Sequence, residues 1–350
     1  MGSGAAGPSG VQGQRPWACL PMISFITRRL LLGVMTVWLI SILSFIIIQL
    51  PPGDFVDAYI AQLSSSGSQV SAAEAENLRQ LYGLGEPFYV QYGKWLARIV
   101  TGDFGESMEW RRPVTEVIGD RLWLTLLLSF AALLVTWGLA LPIGIFSAVR
   151  QYSFADYAFT LVGFIGIAVP NFLLALVIMY FSFVWFGASV GGLFSAEMAL
   201  APWSLAKVWD LMKHLPLPAL ILALGGTAQL IRIMRANLLD ELRRPYVVTA
   251  RAKGLSETRT ILKYPVRAAL NPFASNIAYL FPYLVSGSII VSIVLGLPTV
   301  GPLLVKALVA QDMFLAGTIV LLLGVMTVVG TFISDLVLMW VDPRIRHQMD

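Results

Sequence analysis

The chain has 350 residues, of which 57% are hydrophobic and only 13% are charged, and its mean hydropathy is +0.76. About a quarter of the residues of an ordinary soluble domain are charged, so this composition excludes a typical soluble protein and predicts a membrane protein. The net charge of +4 does not indicate a nucleic-acid partner, because the basic residues follow membrane topology instead of forming one patch or stripe.

The amino-terminal part of the chain divides into an extension and an anchor. Residues 1–21 are rich in Gly, Ser and Pro and are predicted to be a disordered extension. Residues 22–50 contain the uncharged run Leu30–Leu50, which is long enough to cross a bilayer. No small-residue cleavage site follows this run, so we interpret it as a retained first transmembrane anchor and not as a secretory signal. The single cysteine, Cys19, excludes an intrachain disulfide.

Residues 51–121 hold ten acidic residues against six Lys and Arg, as expected of an exported loop. We predict that this segment is a helical periplasmic region. Ser71 and Glu74 fit a capping box at the start of one helix, which is expected to stop at Gly83. Pro87 can begin a second helix, which has one apolar face. The residues on that face are Phe88, Tyr92, Trp95, Leu96 and Ile99. Two interpretations of the face remain open, namely packing on the outer ends of the spans and a contribution to a docking rim for an external partner.

Five further uncharged runs predict a five-span core over residues 122–346, followed by a short tail at 347–350. All six spans are placed near 30–50, 122–149, 159–186, 215–234, 273–297 and 313–340. Three Lys and Arg and no acid precede the first span, and segment 235–271 holds eight Lys and Arg against three acids. The positive-inside rule therefore puts that segment, and both chain termini, in the cytoplasm.

Charged side chains are scarce within the predicted spans, where Arg232 and Asp335 are the two charged residues. Arg232 is expected near the cytoplasmic end of the fourth span, from where its guanidinium can reach the interface. Asp335 is expected to pair with a nearby base such as Arg232 or Arg235. Neutral polar residues such as Asn171 and Gln229 either form interhelical hydrogen bonds or face a water-filled path. A proton- or sodium-coupled carrier would be expected to have midspan carboxylates or broken helices, and none is evident in the sequence.

No motif for chemistry is evident either. The sequence contains no phosphate-binding loop, no His-Glu-x-x-His and no Gly-x-Ser-x-Gly, which disfavours an intramembrane enzyme. His214 and His347 lie outside the spans without metal-ligand spacing, so no catalytic residue, cofactor or metal site is predicted. The energy for any transport by this chain must then come from outside it, which implies separate ATPase subunits. A self-sufficient secondary carrier or channel remains the alternative function.

The segment from Arg243 to Glu257 predicts a helix, a sharp turn and a second helix. Pro245 presets the backbone for a first helical turn, Gly254 supplies a left-handed residue that ends a helix, and Ser256 can cap the next one. The first helix has only about eight or nine residues and is too short to be stable alone in water. It therefore needs a partner surface.

The side chains of this first helix separate into an apolar and a basic set. Tyr246, Val247 and Ala250 lie on one side, while Arg251 and Lys253 point elsewhere. We therefore expect a small apolar knob with basic flanks at the cytoplasmic face, and a groove on another protein would bury it.

Thr-Ala-Arg-Ala-Lys-Gly-Leu at 249–255 resembles the cytoplasmic EAA loop of ABC importer permeases, in the variant typical of the oligopeptide, dipeptide and nickel group. The resemblance covers nearly the whole chain from Met22. Its other matching segments are Arg28 to Leu30, Pro51 to Asp54, Tyr82 to Tyr92, Gly102 to Ser107, Pro298 to Gly301 and Asp342 to Arg346. The sequence departs from the general pattern at Val248-Thr249-Ala250, where that pattern has Glu-Ala-Ala, and this change is usual in the peptide group.

The resemblance implies an all-α, polytopic membrane protein with six transmembrane helices, similar to type I ABC importer permeases, with a helical periplasmic insertion after the first span. It implies a place among the lipids of the bacterial inner membrane, a second homologous permease subunit, two cytoplasmic ATP-binding subunits and a periplasmic solute-binding protein. Peptides are the expected cargo.

The resemblance also implies that the helix at 246–253 is a coupling helix seated in a cleft of an ATPase subunit. The residues assigned to ATPase coupling are Tyr246, Val247, Thr249, Ala250, Arg251, Ala252, Lys253, Gly254 and Leu255.

Overall fold

The computed structural model of the protein describes residues 20–50, 53–65, 71–187, 191–271, 273 and 288–341. The predicted disorder of residues 1–21 falls almost entirely outside these ranges, and so does the predicted tail. The helices are α1 (Leu20–Gln49), α2 (Phe55–Ser65), α3 (Ala72–Tyr82), α4 (Phe88–Val100), α5 (Val114–Val149), α6 (Phe154–Ala168), α7 (Asn171–Phe186), α8 (Ala196–Ala199), α9 (Leu205–His214), α10 (Pro216–Leu242), α11 (Pro245–Ala252), α12 (Glu257–Lys263), α13 (Pro265–Ala269), α14 (Val300–Val309) and α15 (Met313–Val341). Strands β1 (Glu106–Ser107) and β2 (Arg112–Pro113) form an antiparallel pair between α4 and α5.

Four helices in the described ranges are long and apolar enough to cross a membrane. They lie at Ile26–Gln49 in α1, Val114–Val149 in α5, Leu205–Leu242, which joins α9 and α10, and Met313–Val337 in α15. These four match the first, second, fourth and sixth predicted spans. The fifth predicted span, 273–297, falls mostly outside the described residues. The count of six spans therefore stays a prediction.

The third predicted span, 159–186, consists of two helices and not of one. α6 and α7 meet at an angle of 105° across Val169 and Pro170. Proline has no N–H to continue a helix and disfavours helical backbone in the residue before it. Val169 is accordingly extended, with φ −96° and ψ 123°. A broken helix is thus present, contrary to the expectation from the sequence.

Helices α2, α3 and α4 form a cap on the carboxyl end of α1 and the amino ends of α5 and α15. The amino terminus of α3 forms as predicted, because the Ser71 hydroxyl accepts the Glu74 N–H at 3.2 Å. Gly83, with φ +67°, ends this helix. Local sequence signals therefore determine both ends of α3.

The apolar face of α4 packs against the spans through Trp95 at its centre, whereas Phe88 is exposed. The partly buried residues of this face are Tyr92, Leu96 and Ile99. Trp95 is 1% exposed, and its ring centroid lies 5.7 Å from that of Phe45 on α1. Gly317 on α15 makes room for the indole, since a Cβ at that position would lie 3.2 Å from the ring. The packing interpretation of this face is confirmed.

The opposite end of the helical bundle has its own core. Leu238 of α10, Ile261 of α12 and Val266 of α13 are buried together there, with residues of α5. α5 approaches α10 closely at Gly144, where an added Cβ would lie 2.6 Å from the Cβ of Met234. The short helices after α10 are therefore anchored to two of the long helices.

Candidate functional site

The segment after α10 folds as the predicted helix, turn and helix. Pro245 occupies the first turn of α11, which has eight residues. Gly254 follows with φ +79°, the left-handed conformation that glycine adopts without steric cost. Ser256 then stands at the cap position of α12, but its side chain makes no capping hydrogen bond.

Of the apolar knob predicted from Tyr246, Val247 and Ala250, Tyr246 alone is exposed. Val247 is 0% exposed and Ala250 is 6% exposed, so both side chains anchor α11 to the rest of this chain. The sequence could not reveal this, because it does not show that α12 turns back and contacts α11. The exposed side of the helix carries Tyr246, Val248, Thr249, Arg251, Ala252 and Lys253. We call these six residues the α11 surface.

Two polar contacts brace this segment. The Arg251 guanidinium donates two hydrogen bonds to the Glu257 carboxylate, at 3.0 and 2.5 Å, across the Gly254 turn, and they lower the pKa of Glu257. The Tyr246 hydroxyl donates to Glu241 at the end of α10. Partial burial of the phenol and this hydrogen bond raise the pKa of Tyr246 to about 12, so the phenol keeps its proton at neutral pH. The α11 surface is therefore held in a fixed shape.

A second charged contact joins α6 to α10, and sequence reasoning missed it. Arg235 donates to both carboxylate oxygens of Asp156 at 3.1 and 3.0 Å, and Asp156 is 2% exposed. Ser153 caps the same helix by accepting the Asp156 N–H at 3.2 Å. A Ser-x-x-Asp pattern ahead of an apolar run is a signal for such a cap, and it could have identified Asp156.

The expected partners of Asp335, Arg232 and Arg235, are wrong. Asp335 pairs instead with Arg29 of α1, at 3.0 Å, and α1 packs along α15. Since Arg29 and Asp335 are 306 positions apart in the chain, only the tertiary fold could have shown this contact.

A cavity of about 450 Å³ lies beside the bend between α6 and α7. Its polar lining side chains are Asn171, Gln229 and Arg232, and its apolar walls include Ile290 and Val291. The sequence is compatible with either interhelical hydrogen bonds or a water-filled path for Asn171 and Gln229, and the structure places both residues at this cavity. Among the described residues, no group of three or more His, Cys, Asp and Glu could hold a metal ion.

Comparison with known proteins gives consistent matches along the chain. The family described as "Binding-protein-dependent transport system inner membrane component" matches residues 140–347, and the amino-terminal family of the same membrane components matches residues 22–129. The oligopeptide transport system permease protein AppB of Bacillus subtilis is 35% identical over 330 residues, which cover 93% of this chain and 100% of AppB. The glutathione transport system permease protein GsiC of Escherichia coli K12 is 31% identical over 327 residues, with coverage of 93% and 100%.

A solved structure also resembles the chain. A chain of the MetNI methionine ABC transporter, in an inward-facing conformation, matches with a TM-score of 0.51 and 18% identity. The match covers 65% of this chain and 97% of that chain. At this identity the likeness concerns the fold alone.

Proposed function

The chain belongs to the family of binding-protein-dependent transport system inner membrane components, and we propose that it carries peptides as one half of a paired permease in the bacterial inner membrane. As a member of this family, it is a permease subunit of an ATP-driven ABC importer. It is a transport component and not a catalytic subunit.

The peptide cargo is supported by the relatives. AppB is named for oligopeptides, GsiC for glutathione, and a Brucella ovis protein that is 36% identical is named as a putative peptide permease. Each of these names describes a short peptide or a compound built from amino acids. We therefore propose peptides or closely related small solutes as the cargo.

The observation that carries the coupling proposal is the α11 segment. α11 follows α10 after two residues, α12 packs on α11 and on α13, and α13 returns to pack on α10. A force on the α11 surface would therefore reach a long apolar helix over a short, braced path. We propose that this surface docks on an ATPase subunit, with Val247 and Ala250 anchoring the helix from behind.

The assembly follows from the same reasoning. We propose two cytoplasmic ATP-binding subunits below the membrane, a second homologous permease beside this chain, and a periplasmic binding protein that delivers the solute. In this arrangement both termini and residues 235–271 lie in the cytoplasm, and α2 to α4 lie on the periplasmic side.

The alternative of a self-sufficient carrier has one observation in its favour, the broken helix at Val169 and Pro170. Discontinuous helices line solute sites in many secondary carriers. The family assignment favours the importer over this alternative, because the matching family consists of components of binding-protein-dependent transport systems and a 35% identical relative is named as an oligopeptide transport system permease.

Gly254→Val tests the coupling role. An added Cβ at Gly254 meets no atom within 4 Å, so the change acts through the backbone, where a left-handed conformation costs a branched residue about 1–2 kcal/mol. We expect ATP-dependent peptide uptake by the complete importer to fall to background, while the amount of the chain in the membrane is unchanged.

Gly102→Val is the matched control. Gly102 has φ +81° and equally open surroundings, but it lies at the end of α4, in the proposed periplasmic cap. This variant should keep most of the uptake. Native uptake by the Gly254→Val importer would refute the proposed coupling role.

A further inference from the structure

The cavity at the bend between α6 and α7 is formed by close packing of α6 on α10. A Cβ added at Gly163 would lie 3.7 Å from the Ala228 Cβ, and one at Gly166 would lie 3.7 Å from the Leu224 carbonyl oxygen. α7 turns away by 105° directly after this contact. The space that opens beyond the contact is the cavity of about 450 Å³.

One face of α10 supplies the cavity with polar groups. Gly225, Gln229 and Arg232 follow one another at spacings of four and three residues, which places them on one side of the helix, and all three line the cavity. Gly225 adds no side chain and leaves the space open above the two polar residues. Asn171, the first residue of α7, contributes a third polar side chain from across the cavity.

The charge of this lining is positive. Arg232 is its cation, and no acidic residue is among the described residues that line it. Arg235, one turn further along α10, differs because both oxygens of the Asp156 carboxylate accept its hydrogen bonds. No such pair with a described residue neutralises Arg232.

A cation in this position favours an anionic ligand. Arg232 lies directly after the uncharged run of the fourth predicted span, near the predicted cytoplasmic end of that span. A guanidinium matches the two oxygens of a carboxylate and forms short, charge-assisted hydrogen bonds with it. The positive end of the α7 dipole adds attraction of the same sign.

We propose that this cavity binds the carboxylate of the transported solute, with Arg232 as the ion-pair partner and the amides of Gln229 and Asn171 as further hydrogen-bond donors. The proposal rests on the proposed peptide cargo, because a peptide carries a free carboxylate at its end. The cavity then selects anionic ends within the transport path, independently of the binding protein outside the membrane.

The test compares two peptides in the complete importer reconstituted in lipid vesicles. One is a labelled tripeptide with a free carboxyl terminus, and the other is its carboxyl-terminal amide. Uptake by each variant is divided by native uptake of the same peptide, so that any preference of the binding protein cancels. Arg232→Gln should lower uptake of the free acid by about tenfold or more, as the loss of hydrogen bonds between charged groups implies. Uptake of the amide should change by less than about twofold.

Two further variants separate charge recognition from general damage. Arg232→Lys keeps the cation and should retain more uptake of the free acid than Arg232→Gln. Arg28→Gln removes an exposed arginine of α1, outside the cavity, and should affect neither peptide. If Arg232 bound an anionic lipid or supported the fold, Arg232→Gln would lower uptake of both peptides equally. That result would overturn the proposal, and so would no loss of uptake for either peptide.

A labelling measurement tests the site even if the Arg232→Gln chain does not assemble into the importer. In an importer with Cys19→Ser and Gln229→Cys, a water-soluble maleimide should label the new cysteine, and the free-acid peptide, but not its amide, should slow the reaction. Labelling that neither peptide slows would also refute the site. A native importer that transports neither peptide would instead refute the proposed peptide cargo, and labelling would still decide whether the cavity recognises a carboxylate.

Discussion

Replacing Arg235 by glutamine tests whether its pair with Asp156 holds α6 against α10. The change removes the two hydrogen bonds that Arg235 donates, at 3.1 and 3.0 Å. The Asp156 side chain is only 3% exposed. Its carboxylate would then still accept a hydrogen bond from the Tyr152 backbone N–H, at 3.0 Å. A buried carboxylate would thus lose the group that neutralises it.

The expected cost follows from this geometry. Removing one partner of a buried ion pair costs about 3–5 kcal/mol, because the other charge stays buried without compensation. The Arg235 side chain is 28% exposed, so solvent already screens part of the pair, and the Tyr152 N–H still serves the carboxylate. We therefore expect the lower end of this range, about 3 kcal/mol of unfolding free energy.

A double-variant cycle separates the pair from its surroundings. Asp156→Asn together with Arg235→Gln leaves no buried charge and should cost less than about 1.5 kcal/mol, well under the sum of the two single changes. The measurement is loss of helicity by circular dichroism as sodium dodecyl sulfate is added to the purified chain in mild detergent. Arg259→Gln, on the exposed side of α12, is the control and should change stability by less than about 0.5 kcal/mol. A loss below about 1 kcal/mol for Arg235→Gln, or strictly additive single losses, would refute the argument.

Three more predictions follow from the packing, capping and surface of the chain. Gly144→Ala should destabilise the protein by about 1–3 kcal/mol in the same assay, because the new methyl group clashes with α10, whereas Gly138→Ala, with open space around it, should be neutral or stabilising. Ser71→Ala should cost about 1 kcal/mol through loss of the α3 cap, and limited proteolysis should then cut more readily near that helix start. Arg251→Glu should weaken capture of the ATPase subunits from detergent extracts. The double variant Arg251→Glu with Glu257→Arg restores an ion pair across the Gly254 turn but leaves position 251 on the α11 surface without its positive charge. Recovery of ATPase capture by this double variant would show that capture depends on the ion pair and not on the charge at position 251.

The sequence was sufficient for most features that depend on neighbouring residues, with the exception of Ser256, whose side chain makes no capping hydrogen bond to α12. Uncharged runs located four spans, since a long apolar stretch must be helical to satisfy its backbone in lipid. Pro245 and Gly254 located α11 and its end, since both residues act on their own backbone. The same reasoning located Gly83 at the end of α3.

The errors concern relations between distant segments. Pro170 explains why the helix stops there, but the angle of 105° between α6 and α7 depends on how α6 packs against α10. The side of α11 that is buried depends on α12, and the partner of Asp335 depends on how α1 packs against α15. None of these relations leaves a periodic pattern in the chain.

The contact between α1 and α15 has a consequence for biosynthesis. Among the described helices, α1 is the first to leave the ribosome and its partner α15 is the last to be made, so α1 must wait in the bilayer while the residues between them are translated. At about 5–20 residues per second this delay is roughly 15–60 s. Throughout that interval the face of α1 that α15 will later cover, including Arg29, is open to insertion chaperones and membrane proteases. The completion of the final helix is therefore the step that removes a nascent chain from their reach.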